Sequence, residues 1–453
     1  MILKILITNQ ANSFMKKTIV IFLFLLTATS AFSQGMLNLF GKSEDFFKVL
    51  GAEKFPEAYA YFDPTFQAKV SADKLQDMWT TISGKLGKLE SISIVSSKTQ
   101  GDFYVFIVEG RFTYDTQAFS LAFNKSEKIV GMVLQPKANN AEYVRPMYAD
   151  TNLYTEKEIY ITADPKHSLV GILTVPKNVT NYPLVVMVHG SGPSDMDGAI
   201  GPNRPLRDLA AGMGAKGIAS IRYVKRTTLY ANEFVGAFTV KEEVLDDALT
   251  AVAMARTIIG VDKKKIYVLG HSLGGMLAPR IATLAPDLAG IILLAAPARS
   301  MSDISKEQVA YMTELANDTT QAMKQNMSMY NKELERSRLT SLGTLKPDSV
   351  ILGLPASYWI DLNKYNQVET IKKLDKQRVF VAQGAFDFQV SMTDFDLWSA
   401  ALAGRSNAEL KSYVDLNHLL SSQTEKGTMQ QYQKAGNVSS ILMDDLTSWI
   451  NMK

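Results

Sequence analysis

Gly270-His271-Ser272-Leu273-Gly274-Gly275 is the stretch that decides the reading of this chain. It follows the apolar, β-branched run Lys265-Ile266-Tyr267-Val268-Leu269, and after it Met276, Leu277, Ile281 and Leu284 recur at helical spacing, so a serine stands on a turn between a strand and a helix. Such a turn forces strained backbone angles on the serine. Side chains at Gly270 and Gly274 would collide with the adjoining strand and helix, which is why glycine stands at both. The five-residue pattern alone arises by chance; its context makes Ser272 the candidate nucleophile.

This elbow resembles that of the α/β-hydrolases, and the resemblance implies that an acid follows the nucleophile and a histidine comes last. The chain has 4 histidines. His271 is inside the turn, His189 lies in a glycine loop far upstream, and His167 falls in an N-terminal hairpin. His418, in Val414-Asp415-Leu416-Asn417-His418-Leu419, remains as the candidate base. For the acid, Arg378-Val379-Phe380-Val381-Ala382-Gln383-Gly384 reads as a buried parallel strand with Asp387 just beyond it, placed to orient an imidazole and stabilise its charged form. Asp394 and Asp396 are rivals, better read as the solvated N-terminus of the next helix; Asp415 is too close along the strand to His418. Upstream, the strand-like Pro183-Leu184-Val185-Val186-Met187-Val188 ends in His189-Gly190-Ser191-Gly192-Pro193, whose Gly190 and Gly192 let backbone N–H groups approach a ligand. The oxygen of a tetrahedral intermediate needs two such donors, and the N–H groups of Leu273 and Ser191 are the candidates.

With these elements in this order, residues 152–452 resemble the α/β-hydrolase superfamily, specifically secreted bacterial serine esterases and aminopeptidase-like hydrolases with an HGSGP loop and a GHSLGG elbow. The resemblance implies a mostly parallel sheet under a helical lid and a Ser272–His418–Asp387 triad. It further implies an acyl-enzyme route on small or medium acyl esters, with a small-molecule ester substrate and no metal or organic cofactor. One departure stands out: Val224 occupies a position after the next strand where relatives carry an acid. An aminopeptidase-like serine peptidase and a non-catalytic secreted binding protein are the alternative readings, although a silent protein would show a damaged triad or oxyanion loop.

Composition fits a soluble, folded enzyme with enough length for two domains, read here as an α/β hydrolase unit and a smaller α+β one: 453 residues, 46% hydrophobic and 21% charged. A net charge of +3, with no basic tract interleaved with aromatics, gives no support to nucleic-acid binding. Zero cysteines exclude disulfides, zinc–thiolate sites and a cysteine nucleophile. From Met15, Lys16-Lys17, the apolar Thr18 to Leu26 and Ala31-Phe32-Ser33 before Gln34 spell a secretory signal within residues 1–33, with the true start at Met15 and residues 1–14 an upstream extension. The expectation is a periplasmic or secreted protein with no membrane anchor after cleavage.

Residues 36–140 read as a small α+β unit, helices over Glu44 to Leu50, Glu53 to Tyr61 and Ala72 to Leu86 followed by four strands. That order resembles the cone-shaped nuclear-transport-factor-2-like domain. Ser71-Ala72-Asp73-Lys74 reads as a helix cap. Farther on, Thr239 to Ile259 reads as one amphipathic helix with a Thr239/Glu242 capping box and with Glu243, Asp246 and Asp247 on its solvated face. The lid is expected at about 299–373. It bears Met301, Met312, Met323, Met327 and Met329 as possible lining of an acyl pocket, with Tyr358 and Trp359 as substrate contacts.

Overall fold

The computed structural model describes residues 39–100, 103–135, 142–317 and 321–452, and contacts divide the chain into two compact units, Met1–Ala138 and Asn139–Lys453. The expected signal, residues 1–33, lies outside the described residues.

In the first unit, helices α1 (39–51), α2 (Phe55–Tyr59), α3 (Pro64–Gln67) and α4 (Ala72–Leu86) precede an antiparallel meander of β1 (Leu89–Gln100), β2 (Phe103–Phe112), β3 (Thr116–Phe123) and β4 (Ile129–Leu134). Local chemistry sets the helix starts. Ser71 Oγ accepts from Lys74 N at 3.3 Å, so the Ser71–Lys74 stretch is a cap, and Asp63 does the same for Thr65 N at 2.9 Å ahead of Pro64. Along β3 alternate residues turn inward, and Phe119, Leu121 and Phe123 pack with Phe46, Phe47 and Trp79 of the helices.

The second unit is built on an eight-stranded sheet in the order β14-β13-β10-β9-β7-β8-β6-β5. β5 (Tyr154–Asp164) and β6 (His167–Pro176) form the expected opening hairpin, and β6 runs antiparallel to β8 (Ala219–Tyr223). β8, β7 (Tyr182–Val188), β9 (Val261–His271), β10 (Gly290–Leu294), β13 (Arg378–Gly384) and β14 (Ala408–Tyr413) are mutually parallel. Every residue of β7, β8 and β10 is buried, as strands covered on both faces must be. Leu184, Val186 and Val188 of β7 face α7 (Asp246–Ala255) and α8 (Leu273–Leu284). Val185 and Met187 face the opposite layer, α5 (Pro205–Ala215) and α14 (Ser440–Asn451). The short α6 (Arg226–Leu229) follows β8. Between β10 and β13 lie α9 (Met301–Ala316), α10 (Gln321–Arg336), the two-residue strands β11 (Val350–Ile351) and β12 (Leu354–Pro355), α11 (Ala356–Lys364) and α12 (Gln367–Ile371); α13 (Met392–Leu402) follows β13.

The single helix expected over Thr239 to Ile259 is instead a π turn, Lys241–Leu245, leading into α7, which stops before Gly260; Ile259 is exposed. The capping box is present, with Thr239 N donating to Glu242 Oε2 at 2.9 Å. The solvated face is not what was expected. Glu243 and Asp247 are buried because two cations just after β8 meet them: Lys225 pairs with Glu243 at 2.6 Å and Arg226 with Asp247. At a spacing of four residues both acids turn to the sheet side, and only Asp246 stays at the surface, on Lys241 at 2.7 Å.

Candidate active site

β9 delivers Ser272 at φ 54° and ψ −121°, the strained conformation that lifts a side chain clear of a strand-to-helix turn. The turn is held by Ser272 N donating to Leu294 O at 2.9 Å and Met276 N donating to Ser272 O at 3.0 Å. Its tightness explains the glycines. A Cβ on Gly270 would strike the carbonyl of Gly274, one on Gly274 would meet the carbonyls of Val188 and His189, and one on Gly275 would sit 2.6 Å from Ala296 Cβ. Leu273 opens α8, so its N–H has no partner in its own helix.

His418 follows β14 on a loop that turns back toward Ser272, and its Nδ1 lies 2.8 Å from Asp387 Oδ2. A carboxylate only accepts, so Nδ1 carries a proton, and in the neutral ring Nε2 is the acceptor. Asp387 is fully buried yet well satisfied: Gln389 N and Val390 N donate to Oδ1 at 2.7 and 2.9 Å, and Gln383 Nε2 donates to Oδ2 at 3.1 Å. Four donors around one carboxylate satisfy its oxygens and fix its plane.

The loop after β7 closes the opposite wall. His189 Nε2–H donates to Asp195 O at 3.0 Å, and a Cβ on Gly190 would approach Ser272 Cβ to 3.2 Å. Burial, reinforced by the Lys225 charge, lowers the His189 pKa to about 3, and burial lowers that of His271 to about 4, so both rings are neutral at pH 7. Ser272, His418, His271 and the Gly190–Ser191 segment line one cavity of about 150 Å³ with Ile200, Pro205, Leu206, Gln389 and Leu419. Among the described residues no hydrogen bond joins Ser272 Oγ to His418; such contacts often tighten only around substrate. The arrangement brings a hydroxyl and an imidazole held on a buried carboxylate to one small space, with the Gly190–Ser191 segment on its wall.

Several expected roles are corrected. Asp394 is buried, not solvated: its Oδ1 accepts from Ala298 N and Arg299 N at 2.9 and 3.0 Å, and Arg299 Nη2 bonds Oδ2 at 2.7 Å, so it pins the loop after β10. Asp396 is exposed, and the Asp415 carbonyl accepts from Gln423 N at 2.8 Å. Tyr358 and Trp359 do not line the cavity. The former packs on Phe238 in the core, and the latter donates Nε1–H to Ile351 O at 2.8 Å, because α11 turns its aromatic face inward. The methionines do not line it either. Met323 and Met327 border a separate groove on α10 of about 760 Å³, Met301 packs beside Trp359, and Met312 and Met329 are exposed. Sequence reasoning missed the hydrogen bond of His271 Nε2 to the His418 carbonyl at 2.7 Å and the buried pair Lys225–Glu243, since nothing in local pattern marks a polar side chain as turned inward.

Residues 43–132 match the family model described as "Protein of unknown function (DUF3887)". The chain is 31% identical over 405 residues to Esterase EstD of Thermotoga maritima, covering 89% of this chain and 93% of that one. Among solved structures it is similar to the Pyrococcus furiosus esterase PF2001, at 16% identity and a TM-score of 0.41 over 70% of this chain and 100% of the other. It is also similar to Porphyromonas gingivalis dipeptidyl peptidase 4, at 14% identity and a TM-score of 0.41, over 78% of this chain and 43% of that chain.

Proposed function

This chain belongs to the α/β-hydrolase family of esterases, a hydrolase acting on esters, and from that premise we propose that Ser272, His418 and Asp387 form its catalytic triad. Ser272 Oγ attacks the acyl carbonyl as His418 Nε2 takes its proton, and Asp387 stabilises the imidazolium that results. The N–H groups of Leu273 and Ser191 hold the oxyanion. His418 then protonates the departing alkoxide, and water repeats the sequence to release the acid. The observation that carries this reading is the Asp387 carboxylate, completely buried, saturated with donors, and placed on Nδ1 of the histidine that shares a cavity with Ser272.

The cavity is small and carries no carboxylate or ammonium side chain on its lining, which favours short, uncharged acyl groups. The basic, apolar and small-residue segments of residues 1–33 support export to the periplasm or beyond, checked by a mature N-terminus at Gln34. For the triad, a fluorophosphonate probe should label the protein once, on Ser272. Ser272→Ala should abolish labelling and lower turnover by on the order of 10⁶ with its melting temperature nearly unchanged. Undiminished ester hydrolysis by that variant would sink the assignment.

A further inference from the structure

Lys225 and Glu243 form a deeply buried ion pair near the active-site cavity, each side chain 3% exposed, with Nζ and Oε1 2.6 Å apart. The pair lies outside the triad and outside the cavity lining. Desolvating two charges is expensive, and apolar residues of similar volume are often as stable or more so, which leaves the pair without an obvious stability rationale. The third partner supplies one. Lys225 Nζ also donates to the backbone carbonyl of Gly190 at 2.9 Å.

That carbonyl belongs to the peptide unit whose other end is the N–H of Ser191. In a planar trans peptide the C=O and N–H point in opposite directions, so fixing one fixes the other. An ammonium drawn onto Gly190 O therefore fixes the Ser191 N–H pointing away from Lys225. The positive charge also polarises the peptide and makes that N–H a better donor. The loop is held at a second point by the same residue, since Lys225 N donates to Ser194 O at 3.0 Å. Glu243 neutralises the ammonium and aims it. Tyr358 stands behind Glu243, its phenol kept protonated by burial first and by that adjoining carboxylate next.

We propose that Lys225, aimed by Glu243, is a positioning residue that orients the Gly190–Ser191 peptide as one half of the oxyanion hole. The inference rests on the triad and oxyanion reading above. It predicts a loss confined to the transition state. Removing an oxyanion donor outright costs about 10²–10³ in turnover, and releasing its anchor should cost roughly tenfold to a hundredfold.

Lys225→Met alone strands a buried carboxylate and is prone to unfold, so the decisive protein is the double variant Lys225→Met/Glu243→Gln, which removes both charges. The expected result is a folded protein with near-native melting temperature, kcat for p-nitrophenyl acetate down about tenfold to a hundredfold, and KM little changed. Inhibition by an alkylboronic acid, which mimics the tetrahedral adduct, should weaken by the same factor, and Lys225→Arg should retain most of the turnover. A double variant with native kcat, or one whose loss falls in KM with boronate affinity intact, overturns the proposal. Ser272→Ala in parallel separates the two levels. A dead Ser272→Ala beside a fully active double variant rejects the Lys225 role alone, whereas an active Ser272→Ala rejects the reading beneath it.

Discussion

The Nε2–H of His271 donates to the backbone carbonyl of His418 at 2.7 Å, so the residue next to the candidate nucleophile grips the loop that carries the candidate base. The two rings lie 4.8 Å apart between centroids. A residue 147 positions upstream thus ties the end of β9 to the loop after β14, which the sheet order alone leaves on separate strands. The bond requires the neutral Nε2–H tautomer or the charged ring, and burial disfavours the latter.

Acid stability should report that burial. The folded-state values of His271 and His189 are depressed to about 4 and about 3 from an ordinary 6.5, so the unfolded chain binds more protons between those values. Stability is therefore fully present near neutrality and falls as pH drops from about 6.5, by roughly one proton per histidine at pH 5. His167 does not interfere: its pKa is raised by the hydrogen bond to Asp164, so it is protonated in both states at pH 5. Urea unfolding of His271→Gln, which keeps a donor for the His418 carbonyl, should show a pH slope between about pH 4.5 and 6 shallower by about one proton than wild type. An unchanged slope would mean that His271 is protonated in the folded protein.

Asp387 and Asp394 are both fully buried and both hydrogen-bonded to backbone N–H groups, yet they should fail differently when made amides. Asp387→Asn leaves His418 in the wrong tautomer and should lose roughly 10⁴ in turnover with modest effect on folding. Asp394→Asn removes the charge facing Arg299 and should lower the melting temperature while active-site titration of the folded fraction gives near-native turnover. If Asp394→Asn is the variant that folds normally and is dead, the acid has been misassigned.

Gly274→Ala should be poorly tolerated for a reason independent of chemistry. The added methyl has no room beside the carbonyls of Val188 and His189, which belong to the strand end that also presents the oxyanion loop. Gly192→Ala meets no atom within 4 Å, and its strain comes only from φ 78°. Thermal melts should therefore show a much larger loss for Gly274→Ala, with fluorophosphonate labelling slowed in whatever remains folded.

What was legible in the sequence was whatever local pattern encodes. The apolar runs of β7, β9 and β13, the glycines that flank Ser272 and the caps at Ser71 and Thr239 are each dictated by neighbours within a few residues. Elimination among few histidines singled out His418, which the structure places on Asp387. What failed depends on distant partners. Glu243, Asp247 and Asp394 look like solvated helix-start acids until Lys225, Arg226 and Arg299 arrive from other elements and make burial tolerable. Tyr358 and Trp359 look like substrate aromatics because the sequence does not say which face of α11 meets the core. The same blindness moved Met323 and Met327 of α10 from an acyl pocket to a groove of their own.

Ester and peptide hydrolysis should separate on the lining of the cavity. A site that binds a free amino terminus must desolvate an ammonium and offset that cost with converging carboxylates. The cavity around Ser272 presents none, and of the acids of α9 Asp303 is engaged by Arg338 at 2.7 Å and Glu307 by Arg299. Its apolar wall of Ile200, Pro205, Leu206 and Leu419 suits a short hydrocarbon chain, each buried methylene contributing about 0.8 kcal/mol or roughly fourfold in catalytic efficiency. At about 150 Å³ the space is well below that of sites built for larger ligands, so the gain should stop within a few carbons. p-Nitrophenyl acetate and butyrate should therefore be cleaved readily and long-chain esters poorly, with aminoacyl p-nitroanilides slower by orders of magnitude in kcat/KM. Both series measured on one preparation decide the matter: efficient anilide turnover beside feeble ester turnover would place an amine clamp where the structure shows only apolar and neutral polar groups.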